Sequence, residues 1–125
     1  MTLEGEGRPK DALRLFEQAW DIATDDYELF TAAHYVARQQ ADIVGKLKWD
    51  ETALSYALKI PNEDANSTLP SLYLNVAKSH EDLKDFEKAR INYLLALDFE
   101  NYLPNDGYGI MIKAGIQNGI ERVKI

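Results

Sequence analysis

Residues 32–39 read AAHYVARQ and set His34 beside Tyr35 and four residues ahead of Arg38. Imidazole can move a proton or bind a metal, and a guanidinium grips a carboxylate or phosphate through paired donors. On a helix, Tyr27, Thr31, His34 and Arg38 share one flank, because they recur at steps of three and four. That flank suits an anion or a peptide carboxylate. The plainer reading of His34 is a half-buried side chain hydrogen-bonded between helices. Catalysis has no further support. No GxSxG turn accompanies a serine, and no histidine stands four residues from another in the zincin manner. The chain has no cysteine, which removes thiol nucleophiles and thiolate metal sites. His80 falls on a different segment from His34, so no metal ligand set is expected, no cofactor, and no enzyme. NDGYG at 105–109 could aim backbone N–H groups at an anion, but those residues are also ordinary turn and cap formers.

The elements that must carry these residues are helical throughout. Apolar residues recur at three and four, and no stretch sustains strand alternation. Six helices are predicted, at about 9–24, 26–45, 50–60, 70–83, 85–100 and 107–123. Pro9 fits a first turn, and Ala12, Leu13, Phe16, Ala19, Trp20 and Ala23 form the first stripe. Phe30, Ala33, Ala37, Ala41 and Val44 form the second, with Val36 off to its other side. Asp50 is the expected cap of the third helix, which stops before Pro61. PNEDANSTLP, 61–70, reads as a loop and LPNDGYG, 103–109, as a turn. Gly115 and Gly119 weaken the sixth helix.

The bulk numbers bound the function. A chain of 125 residues favours a single domain spanning 1–125, and 46% hydrophobic residues are enough for a core. The net charge of −7 speaks against a nucleic-acid partner. No run reaches the length of a membrane span, and MTLEGEGRPKDA lacks the apolar core of a signal peptide. A soluble, cytoplasmic protein is expected.

Residues 71–99, SLYLNVAKSHEDLKDFEKARINYLLALDF, resemble the tetratricopeptide repeat, a helix–turn–helix of 34 residues. Tyr73, Ala77 and His80 fall on its first-helix aromatic, small and aromatic positions. Phe86, Ala89, Tyr93 and Ala96 follow on the second. Ala12, Phe16 and Ala19 repeat the second-helix spacing, and Ala53 marks another copy with Trp49 displaced by one residue. The intervals exceed the family's, so the repeats are degenerate.

The resemblance implies an all-α fold of about six antiparallel helices, stacked as helix-turn-helix pairs into a short right-handed α-solenoid. It implies a concave groove of mixed character, here Tyr35, Arg38, Asp42, Leu74, Lys78, Glu81 and Lys113. Some relatives clamp a partner's terminal carboxylate with Asn, Lys and Arg. Asn75 matches one of those asparagines, and Arg38 falls on the corresponding inner-face position. Asp42 and Leu74 depart from the pattern. Tyr108 could cover one end. The expected function is a non-enzymatic module that binds a protein or peptide. The alternative is a small-molecule or anion site around Tyr27, His34, Arg38 and Tyr108. The first helix resembles a second-type helix without its partner, so its open end makes a homodimer a candidate too.

Overall fold

The computed structural model describes residues 9–60 and 66–124. Part of the expected 61–70 loop and the polar leading segment lie outside the described residues. Among the described residues every regular element is helical: six α-helices and one short 3₁₀ turn. They fall into two compact units, one reaching Lys59 and the other starting at Ile60.

The first unit holds α1 (Pro9–Ile22), α2 (Asp26–Arg38) and α3 (Ile43–Ala57). Asp25 caps α2, its carboxylate accepting the Glu28 N–H at 2.7 Å, while Glu28 Oε2 accepts the Thr24 N–H at 3.1 Å. Together these two bonds satisfy donors that a helix start leaves open. The boundary between α2 and α3 differs from the sequence expectation. Helix α2 stops at Arg38, and Gln39 and Gln40 tighten its end with bonds to Val36 and Ala37 carbonyls. Asp42 then turns extended and accepts the Gly45 N–H at 2.6 Å, which starts α3 seven residues before Asp50. A good cap outcompetes continuation of a helix whose residues would otherwise tolerate it. The expected stripe breaks accordingly, and Ala41 and Val44 are exposed. Val36, set aside from that stripe, is instead wholly buried against Ala12 and Phe16, with Leu13, Tyr35 and Trp49 around them. Trp20 meets the edges of Trp49 and Tyr56 at 5.2 and 5.8 Å between centroids, so aromatic pairs tie α1 to α3.

The second unit holds α4 (Leu69–Asp82), α5 (Phe86–Asp98), the 3₁₀ turn Glu100–Tyr102, and α6 (Gly107–Arg122), which packs on both α4 and α5. Ala77 and Ala89 are fully buried, and their small side chains let α4 and α5 approach closely around Tyr93 and Val123. The α4–α5 turn is a Schellman closure: Asp85 N–H reaches the His80 carbonyl and Lys84 N–H the Glu81 carbonyl, each at 2.9 Å. Lys84 takes the left-handed conformation there, with φ of 69°, where glycine is the usual residue. Asp85 also caps α5 by accepting from Lys88 N–H.

Candidate functional site

The first unit holds an apolar cleft of about 430 Å³ between α1 and α2. Leu15, Phe16, Ala19 and Ile22 line it from α1, and Tyr27, Glu28, Thr31, Ala32 and Tyr35 from α2. It is open: Leu15, Ile22 and Tyr27 are 41%, 77% and 61% exposed. Large apolar side chains held at a cleft mouth mark a surface that gains by being covered. Tyr35 stacks on Phe16 with centroids 4.9 Å apart, which fixes one wall. Arg38 lies over the Tyr35 ring, its guanidinium carbon 5.7 Å from the centroid. Tyr27 meets Phe30 edge-on at 6.0 Å.

His34 lies beside this wall, its ring 5.6 Å from that of Tyr35, and is half-buried. Its Nδ1 is buried with no hydrogen-bond partner. The interhelical hydrogen bond read from the sequence is thus absent at that atom. Burial pushes the imidazole pKa down. Asp50 opposes this, while Arg38 and Lys46 reinforce it. Asp50 is the second departure. It is 1% exposed in mid-helix rather than at a helix start, and Lys46 Nζ donates to it at 2.6 Å. Burial pushes its carboxyl up, against the pull of Lys46 and His34. The pair leaves the charge of a buried carboxylate compensated.

Of the other groove candidates, Asp42 is engaged as the α3 cap. Leu74, Asn75, Lys78 and Tyr108 belong to the second unit. Leu74 packs on the core there, Asn75 is half-buried, and Lys78 pairs with Asp82 at 2.7 Å. Tyr108 is 45% exposed. Within the first unit, then, Tyr35, Arg38 and His34 are brought together, and Tyr27 lies on the same cleft as Tyr35. The NDGYG turn has a structural use. Asp106 caps α6 by accepting the Gly109 N–H at 2.9 Å. Gly109 lies so close to the Pro104 carbonyl that any added Cβ would collide with it.

Comparison with family models, curated proteins and solved structures finds no match in any of the three. The site is therefore read from its own chemistry. Among the described residues no cluster of histidine and carboxylates could hold a metal, and no helix is long and apolar enough to cross a membrane.

Two structural features escape a sequence reading. One is the cleft itself, whose Leu15 and Ile22 lie outside the first predicted stripe. Their spacing with Ala19, at steps of four and three, is the signal that could have found it. The other is a polar lock in the second unit. Glu81, expected on the concave groove, instead accepts the Tyr93 hydroxyl at 2.7 Å and Arg122 Nε at 2.8 Å. Arg122 Nη2 also donates to Glu81 Oε1 and to the Tyr93 oxygen, each at 3.2 Å. Arg122 holds the Glu81 carboxyl below its usual range, and burial pushes the Tyr93 phenol up to about 12.

Proposed function

We propose that the protein is a non-enzymatic binding module that takes a protein or peptide segment on its helical surface, with the α1–α2 cleft as the contact. The carrying observation is that open apolar cleft, with Leu15, Ile22 and Tyr27 held at its mouth. The resemblance of 71–99 to the tetratricopeptide repeat supports the same class of function by analogy. A small apolar ligand is the second reading, favoured by the cleft's volume, which lies within the range of ligand pockets.

The test is selection from a random peptide library displayed on phage, with counter-screening against Leu15→Gln/Ile22→Gln. Both side chains are exposed, so the double variant should fold as the parent does. Peptides that bind the parent and lose about tenfold or more in affinity on the variant are expected. Absence of any enriched peptide, or enrichment indifferent to the double substitution, would sink the proposal.

A further inference from the structure

The mouth of the cleft is mostly acidic, with Arg38 the cation on its Tyr35 wall. From Leu15 to Ala37 the chain has five carboxylates, Glu17, Asp21, Asp25, Asp26 and Glu28, and no lysine or arginine. Glu28 lines the cleft, while Asp21 and Asp26 adjoin the lining residues Ile22 and Tyr27. Asp25 and Glu28 are fixed by the capping bonds at the start of α2, so their charges are held at that end. No salt bridge involves any of the last four among the described residues. The field at the mouth is therefore negative, and it selects a cationic partner.

Shape narrows the partner further. The exposed apolar side chains of α1 run from Leu15 through Ala19 to Ile22, about 10 Å along the axis. That length accommodates about two turns of a helix laid along α1. The cleft also lies between two adjacent helices, where the ridge of a third packs in helical stacks. A second copy of the chain is disfavoured, since a two-fold contact would set one acidic mouth against another.

We propose that the α1–α2 cleft receives one amphipathic helix of a partner protein, its apolar side chains seated between Leu15, Ile22 and Tyr27 and its lysine- and arginine-rich flank against Asp21, Asp26 and Glu28. This rests on the binding-module reading above and names the partner that reading leaves open.

Three synthetic peptides test it: a helical peptide with leucine on one face and lysine on the other, the same peptide with glutamate for lysine, and the lysine peptide broken by a central proline. Titration is followed by the emission of Trp20 and Trp49, both in the first unit. The lysine helix should bind at least about tenfold more tightly than either control. Asp21→Lys/Asp26→Lys should weaken it about fivefold at low salt, and Leu15→Gln/Ile22→Gln by more than about tenfold. Asp21→Lys favours the end of α1 while Asp26→Lys opposes the start of α2, so circular dichroism of the double variant accompanies the titration, and weakened binding with helicity kept is the expected result. Equal binding of the glutamate or proline peptide overturns the inference, as does insensitivity to either double variant. So does a homodimer dispersed by Leu15→Gln/Ile22→Gln in sedimentation. Library peptides that need Leu15 and Ile22 but are acidic or extended would overturn this inference alone and leave the binding module standing. No peptide binding in either experiment would remove both.

Discussion

The two units are each built on three helices, yet they finish their surfaces differently. In the second, the last helix closes on both neighbours. Gly119 lets the Tyr93 ring lie against the α6 backbone, and Arg122 ends that helix on Glu81 and the Tyr93 hydroxyl. In the first, α1 packs on α2 through Ala12, Phe16 and Val36 and meets α3 through aromatic edges, and a cleft stays open between α1 and α2. The buried polar groups differ in the same sense. The Tyr93 hydroxyl is satisfied twice over, while His34 Nδ1 has no partner. The contrast separates a unit whose last helix is locked onto its neighbours by a polar cluster from one that leaves an apolar cleft between two helices.

The sharpest break of this contrast is at Gly119. A Cβ there would overlap the Tyr93 ring, which is wholly buried. Gly119→Ala should cost the second unit about 2–3 kcal/mol. Hydrogen exchange of α4 to α6 amides would show it, with tryptophan emission from the first unit unchanged. If those amides kept their protection, the closure would not depend on this contact.

Next is the lock itself. Glu81→Gln should destabilise the second unit by about 1–2 kcal/mol, because the guanidinium and phenol lose a charged acceptor. The parent should also lose stability as acid is added. The folded carboxyl titrates below its usual range, so its contribution is present above about pH 4.3 and disappears as pH falls below that. Denaturant melts from pH 7 to 3 should diverge for parent and variant at neutral pH and converge in acid.

The first unit should answer to pH in a higher window. The folded His34 pKa lies below its ordinary value, so the unfolded chain takes up the proton first. Stability is complete above about pH 6.5 and declines as pH falls through that value. His34→Leu removes this decline and the unpartnered nitrogen, raising stability at pH 7.5 by about 1 kcal/mol. Unfolding read by tryptophan emission checks it, and a variant that kept the parent's pH slope would assign the slope to other groups.

The smallest effect is at the α4–α5 turn. Lys84→Gly relieves a left-handed lysine and should stabilise the second unit by about 0.5–1 kcal/mol in chemical melts. An unchanged or lower midpoint would mean that the lysine side chain repays its backbone.

What was readable beforehand follows how local each signal is. The helical class, and α1 and α4 to α6 to within a few residues, were legible because stripes, Pro9 and the Asp85 and Asp106 caps are encoded within a turn or two. The α2–α3 break was not, because residues 39–42 suit a helix and the decision rests on Asp42 capturing one N–H. Asp50 looked like a cap, since an aspartate before a short apolar run has that pattern. Its burial depends on Lys46 and on neighbours from α2. Arg122 gives no local sign of Glu81, which lies 41 residues earlier. At the candidate site, Tyr35 and Arg38 were legible as one helix edge. The cleft needed the pairing of α1 with α2 before Leu15 and Ile22 acquired a common purpose.

The turns at 39–42 and 83–85 also order events in time. Each joins two helices that pack directly on one another, so both hairpins close over short loops at small entropic cost and need little search. The α4–α5 hairpin brings Glu81 and Tyr93 to face each other before α6 docks on it. The arginine then arrives as the last contact of an assembled pair, which makes docking of α6 the step whose rate Arg122→Ala should leave unassisted.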